Sequence, residues 1–173
     1  MDRREIELKL ITDFLGVPIK STTEMDYRMY QGIVYLVQAC GVNLGYYYHW
    51  SPNDRPVCPA LFADIDDIVL ALTHDFDESR HFNLSEQIRL KLYGLKKRVI
   101  HRQSLGQYRF VQELEKLMTL HFLIDRNLVP RDIETVVAMM RKHNARIDKE
   151  AVKTAIGDLV WIGALPFEVD LKE

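Results

Sequence analysis

Cysteine is scarce in this 173-residue sequence, because Cys40 and Cys58 are the only two. Two cysteines are too few for a disulfide framework or for a zinc site held by cysteines alone, so we expect both thiols to be reduced. Glycine-containing functional motifs are missing as well: none of the eight glycines forms the phosphate-binding G-x-G-x-x-G or P-loop pattern, or the G-x-S-x-G pattern of a nucleophilic serine. These absences argue against nucleotide-dependent chemistry.

Long hydrophobic runs are also absent. No apolar stretch approaches the roughly 20 residues that cross a bilayer, and the opening MDRREIELKL lacks the apolar core of a secretory signal. We therefore expect a soluble cytoplasmic protein with no membrane partner. The length suits one compact domain over residues 1–173, with 1–83 and 84–173 as candidate subdomains.

Charge is distributed unevenly along the chain. Residues 1–83 contain 7 Lys or Arg against 13 Asp or Glu, whereas residues 84–173 contain 16 against 12. No acid lies between Glu86 and Glu113, a window that holds seven Lys or Arg. This window is the one local charge signal, and it marks a candidate surface for phosphates.

Apolar residues at helical spacing predict a mainly α fold of seven helices with one short extended segment. The first apolar residues of the seven stripes are Leu8, Tyr30, Leu61, Leu84, Phe110, Ile133 and Val152. Capping patterns predict that Ser21 with Glu24 opens the second helix and Asn83 with Glu86 the fourth. Pro130 and Asp148 are predicted to open the last two helices.

The segment GYYYHWSPNDRPVCPAL, residues 45–61, concentrates aromatic rings before a proline-rich corner. Its alternation predicts a short strand that buries Tyr46, Tyr48 and Trp50. The same alternation leaves the other face outward, as candidate contacts for a partner protein. These outward residues are Tyr47, His49, Asn53, Asp54 and Arg55.

Residue types suited to catalysis are present but poorly arranged. His74, Asp75, Asp77 and His81 share one predicted loop without the spacing of a metal site. Cys58 near His49 lacks a third orienting group, and His121 falls on an apolar stripe, where a core histidine with one hydrogen-bond partner is expected. We predict no catalytic residue, no metal and no cofactor.

Acidic residues mark the predicted third helix. Asp64, Asp66 and Asp67 are adjacent on that helix, so they cannot oppose one another across a catalytic cleft. We expect them to form a solvated face. Asp64 and Asp67 are therefore added to the candidate contacts for a partner protein.

Nucleic-acid binding is the alternative that the basic window suggests. The stretch RLKLYGLKKRVIHR, residues 89–102, predicts a helix whose basic residues face solvent, and the last two helices have helix-turn-helix spacing. The chain as a whole is slightly acidic, which weighs against a dedicated DNA binder. The candidate phosphate contacts are Arg89, Lys96, Lys97, Arg98 and Arg102.

The stretch MYQGIVYLVQACGVNLGYYYHWSPNDRPVCPALFADIDDI, residues 29–68, resembles the opening motif of the YwgA-like uncharacterised bacterial family. That family is similar in turn to the Panacea-domain antitoxins, in which an apolar helix leads into L-G-Y-x-F-x-W, a Gly-Pro-Tyr-Ser-like turn and an acidic amphipathic helix. LEKLMTLHFLIDRNL and DLVWIGAL resemble the closing helices of the family. This chain departs from the pattern at Met29 and Gly32, which replace basic residues, and at the turn, which reads RPVC.

The resemblance implies a helical module with winged-helix-like elements that works through protein or nucleic-acid contacts rather than catalysis. Its implied settings are prophage, toxin neutralisation and phage defence. We therefore expect a non-enzymatic, antitoxin-like protein-interaction module, with a nucleic-acid-binding regulator as the alternative. Whether the chain also forms a homo-oligomer stays open at this point.

Overall fold

A computed structural model describes residues 1–52, 55–128, 132–142 and 147–167 of the chain. Within these ranges lie seven α-helices, two 3-10 helices and one antiparallel pair of two-residue strands, so the mainly α prediction is confirmed. The helices are α1 Arg3–Leu15, α2 Glu24–Ala39, α3 Pro59–Thr73, α4 Glu86–Arg98, α5 Gln107–Asp125, α6 Ile133–Arg141 and α7 Lys149–Trp161. The strands are β1 His49–Trp50 and β2 Pro56–Val57, and the 3-10 helices are Glu78–His81 and Ile100–Leu105.

The start of α2 differs from the predicted capping box. Thr23, not Ser21, is the N-cap, and its partner is Asp26. The Asp26 carboxylate accepts hydrogen bonds from Thr22, from Thr23 and from the side chain of Gln107. Burial raises the pKa of Asp26, but these hydrogen bonds outweigh it and hold the pKa below the usual value.

Two further helix starts differ in detail from the sequence prediction. Ser85, not Asn83, is the N-cap of α4. Asp132 caps α6 by accepting from the Thr135 amide, and the predicted Pro130 lies outside the described residues. Asp148 caps α7 as predicted.

The predicted strand forms at its far end alone. β1 pairs antiparallel with β2 in the register His49 to Val57 and Trp50 to Pro56. The preceding residues are held instead by a side chain of α2: Gln38 Oε1 accepts from the amides of Leu44 and Tyr46, and Gln38 Nε2 donates to the Tyr46 carbonyl. Side-chain amide groups thus replace the missing strand partner.

A second glutamine of α2 repeats this arrangement two turns earlier. Gln31 Nε2 donates to the Cys58 carbonyl at 2.8 Å, and Gln31 Oε1 accepts from the Cys58 amide at 2.9 Å. Gln31 and Gln38 are seven residues apart and therefore lie on one face of the helix. This face of α2 fixes the path of the chain from Leu44 to the start of α3.

The buried apolar residues form one cluster that draws on both halves of the chain, from Leu8 to Leu165. At its centre α2 packs against α5, and the approach is close at Gly32. A methyl group at that position would lie 2.7 Å from Leu114 Cβ. The absence of a side chain at Gly32 therefore sets the spacing of the two central helices.

We expect Gly32→Ala to destabilise the fold by about 1 to 3 kcal/mol, because the added methyl overlaps Leu114. Gly157→Ala is the matched control: Gly157 is also helical but has nothing within 4 Å of the added methyl. Higher helix propensity should make that variant more stable by up to about 1 kcal/mol. Urea unfolding of both variants measures the difference, and a stabilised Gly32→Ala would contradict the packing.

Candidate functional site

The aromatic run after Gly45 alternates between core and solvent as predicted over its first part. Tyr46 is buried, whereas Tyr47 is 88% exposed and His49 is exposed. Tyr48 and Trp50 are half-buried and pack against the core cluster. The large ring of Tyr47 therefore points to solvent and makes little contact with the core.

Tyr47 lies at the edge of an open cleft of about 320 Å³, which we call the aromatic cleft. The walls come from α2, from the extended segment and from the end of α5; they include Tyr35, Tyr48, His121, Phe122 and Arg126. The Tyr35 ring meets Tyr48 edge-on with centroids 5.0 Å apart, and Trp50 packs against Phe122 at 5.7 Å. The edge-to-face contact of Tyr35 with Tyr48 and the tilted contact of Trp50 with Phe122 hold these rings in fixed positions.

His121 forms part of the wall and has both ring nitrogens engaged. Nε2 lies 3.0 Å from the Ala164 carbonyl oxygen, and Nδ1 lies 2.8 Å from the Tyr35 hydroxyl. Since a carbonyl can only accept, Nε2 carries the proton and the Tyr35 hydroxyl donates to Nδ1. Burial lowers the pKa of His121. The predicted core histidine is confirmed, with two partners instead of one.

Charged groups stand at the rim of the aromatic cleft. The guanidinium carbon of Arg126 lies 5.8 Å from the centroid of the Phe122 ring. Arg126 Nε lies 3.8 Å from Asp125 Oδ2. The sequence interpretation missed Tyr35, Asp125 and Arg126, because alternation in an extended segment does not say which helix that segment meets. The available signal was the Asp-Arg pair directly after the apolar stripe of α5.

Asp64 overturns the prediction of a solvated acidic face on α3. Its carboxylate is buried and accepts two hydrogen bonds from Arg4, at 2.6 and 2.9 Å, and one from the Tyr46 hydroxyl at 2.7 Å. Asp64 follows Leu61 by three residues and so shares its buried face. Asp67 remains exposed with Asp66 as predicted.

Arg55 also differs from the predicted outward position. It is half-buried, and its Nη1 donates to Glu115 at 2.9 Å. Arg28 donates to both oxygens of the same carboxylate at 2.8 and 2.7 Å. Arg55 therefore fastens the hairpin to α5, while Asn53 and Asp54 lie outside the described residues.

The basic residues of α4 and the following turn are mostly engaged within the chain. Arg98 and Arg102 both donate to Asp158 of α7, at 2.7 and 2.6 Å, and Asp158 is 1% exposed. Lys96 donates to the Phe14 carbonyl. The prediction that this set faces solvent is therefore wrong for Lys96 and Arg102, which are half-buried. Arg89 and Lys97 are exposed, and of the predicted turn KHNAR between the last two helices, residues 142–146, residues 143–146 lie outside the described residues.

The loop after α3 and Cys58 contain the remaining side chains of reactive type. In the loop after α3, Asp77 accepts from Ser79 and caps the 3-10 helix Glu78–His81. The described residues contain no group of three or more His, Cys, Asp or Glu placed to hold a metal. Cys58 is buried at the N-cap of α3. None of the helices described is both long enough and apolar enough to cross a membrane.

A larger groove, of about 680 Å³, lies between α1 and α4. Its lining is mostly apolar and includes Ile6, Leu10, Leu84 and Ile88. Lys91 at its edge donates to the Gly41 carbonyl at 3.0 Å. The groove has more volume than the aromatic cleft, and polar side chains that include Arg3, Glu7 and Asn43 line it beside the apolar ones.

Comparisons with protein-family models, with curated proteins and with solved structures find no match for this chain. The resemblance to the YwgA-like family and to the Panacea-domain antitoxins therefore stays a prediction. The candidate sites rest on the geometry of the chain itself.

We expect His121 to make the free energy of unfolding depend on pH below neutrality. Because the native pKa is lowered, the unfolded chain binds the proton first, and stability falls as pH drops through the unfolded value of about 6.5. The slope should reach up to about 1.4 kcal/mol per pH unit until the native pKa is reached.

Urea unfolding between pH 7.5 and pH 5 measures this slope in the wild type and in His121→Gln. The slope should decrease in His121→Gln and persist in the control His49→Gln, whose histidine is exposed. Equal slopes in the wild type and in His121→Gln would assign the pH dependence to other groups.

Proposed function

We propose that this protein is a non-enzymatic protein-interaction module of the cytoplasm that binds a partner protein at the aromatic cleft. The observation that carries the proposal is Tyr47, a ring 88% exposed between the buried Tyr46 and the half-buried Tyr48. Large aromatic side chains are the residues that most often dominate binding energy at protein interfaces. Tyr47 is therefore the central contact that we assign to the partner.

The backbone around Tyr47 supports this role because it is already fixed. Gln38 bonds the amide and the carbonyl of Tyr46, and Gly45 has a φ of +76° that favours glycine. After Tyr47 in the chain, the Tyr48 hydroxyl donates to the Gln31 carbonyl at 2.9 Å. A ring presented from a fixed backbone loses little entropy on binding, which favours affinity.

The cleft beside Tyr47 indicates the chemistry of the partner. Its volume of about 320 Å³ suits one or two side chains of a protein better than a large cofactor. Phe122 and Tyr48 contribute aromatic rings to a lining that is more polar than apolar, and Asp125 and Arg126 supply charges of both signs. An aromatic side chain that carries a polar group, with a charged neighbour, would fit this site. Toxin neutralisation or phage defence, which the resemblance implies, is the setting that we propose.

The photocrosslinking test compares position 47 with position 108. We expect a photoreactive amino acid at Tyr47 to crosslink a stoichiometric partner in the native host, because that ring lies at the proposed interface. The same group at Tyr108, which is 61% exposed on α5, should not. Mass spectrometry of the crosslinked species identifies the partner. Equal crosslinking from both positions, or none from position 47, would contradict the proposal.

Tyr47→Ala separates binding from folding. For this variant the photoreactive group is placed at Arg126 instead of position 47, and we expect the crosslinked partner to be lost. The free energy of unfolding should stay within about 0.5 kcal/mol of wild type. Tyr108→Ala is the matched control and should retain the partner. A large loss of stability in Tyr47→Ala would show that the ring serves the fold.

The alternative, a nucleic-acid-binding regulator, has less support. Three of its five candidate contacts, Lys96, Arg98 and Arg102, bond within the chain. Arg89 and Lys97 are the exposed pair that such a function would use. If two such cations contact phosphates, affinity for duplex DNA should fall about tenfold as salt rises from about 50 to 200 mM. Fluorescence anisotropy measures this change in affinity. If the Arg89→Glu/Lys97→Glu double variant binds duplex DNA as tightly as the wild type, the alternative is excluded.

A further inference from the structure

Helix α4 carries a second apolar stripe on its solvent side. Leu92 and Leu95 are fully buried, whereas Leu90 is 70% exposed and Tyr93 is 55% exposed. Glu86 precedes Leu90 by four residues and Lys97 follows Tyr93 by four, so the four side chains form one line along the helix. We call Glu86, Leu90, Tyr93 and Lys97 the α4 stripe.

The apolar surface continues on both sides of the α4 stripe. A hollow of about 470 Å³ lies between the end of α1 and α4, lined by Phe14, Leu84, Leu90 and Tyr93 among others. On the other side Trp161 is 53% exposed, and its ring lies 3.5 Å from the position of a methyl at Gly94. Contiguous exposed apolar surface of this kind marks an interaction site.

We propose that a second copy of this chain covers the α4 stripe, with the two α4 helices antiparallel about a twofold axis. The order of acidic, apolar, aromatic and basic residues along the stripe favours this arrangement. An axis midway between Leu90 and Tyr93 sets Leu90 against Tyr93 of the second copy and Glu86 against Lys97 of the second copy. Each contact occurs twice, as a twofold interface requires.

Charge selects this arrangement over a parallel one. In the antiparallel pair both ends of the stripe join an acid to a base, whereas a parallel pair would set Glu86 against Glu86 and Lys97 against Lys97.

The size of the stripe limits the affinity. One pair of 13-residue helices buries less than the roughly 1,200 Å² of a standard interface, so the dimer is weak and concentration-dependent. The hollow beside the stripe and the aromatic cleft share no lining residue. Self-association therefore does not depend on the function proposed for Tyr47.

Sedimentation equilibrium on the purified full chain tests the dimer. The average mass should rise from 20.3 kDa toward about twice that value between about 10 and 500 µM protein at low salt. Glu86→Lys alone or Lys97→Glu alone sets like charges together at both ends of the stripe. Each single variant should weaken association about tenfold.

Mixing the two single variants supplies the decisive measurement. A heterodimer of Glu86→Lys with Lys97→Glu again joins opposite charges at both ends, so the mixture should recover wild-type association. Arg109→Glu is the control for an exposed charge change outside the stripe and should associate like wild type. Circular dichroism melting checks that all variants are folded. A wild type that stays monomeric at about 500 µM, single variants that associate normally, or a mixture that stays weak would each overturn the proposal.

Discussion

The approach of α2 to α5 at Gly32 is the constraint on which the rest of this structure depends. With Leu114 at contact distance, α2 sits inside the molecule and is buried along most of its length. Two polar side chains of this helix, Gln31 and Gln38, point to backbone groups of an adjacent segment of the same chain. Gln31 and Gln38 consequently hold the segment that leads to the hairpin, and that segment in turn sets the position of Tyr47.

Three carboxylates bind five arginines of the chain, and composition alone does not indicate these pairs. Asp64, Asp158 and Glu115 are each bonded to arginines that are at least 56 residues away in sequence. A partly buried carboxylate loses hydration, so each bond to a guanidinium recovers part of that loss. The basic window of residues 87–112 therefore offers fewer cations to solvent than its seven Lys and Arg suggest.

The sequence predicted helices well because their apolar periodicity is strong, and it predicted faces less well where one polar residue interrupts a stripe. Asp64 sits at a core position of α3, and hydrophobicity alone assigned it to solvent. The extended segment was predicted as a strand, although the hydrogen bonds of Leu44 and Tyr46 go to Gln38, a partner that no local pattern reveals. Tyr47 was predicted outward from alternation, but the cleft beside it depends on the end of α5, which is distant in sequence.

Exposed aromatic rings on a folded protein need an explanation, because burying each one would release about 25 cal/mol for every Å² of apolar surface. Tyr47 and Tyr93 stand on surfaces with no common lining residue, so one contact does not exclude the other. A twofold pair joined through α4 would present two aromatic clefts at once. A partner that itself carries two matching segments would then bind by avidity, with a gain set by the distance between the clefts. Weak self-association can thus strengthen partner binding without any additional contact at Tyr47.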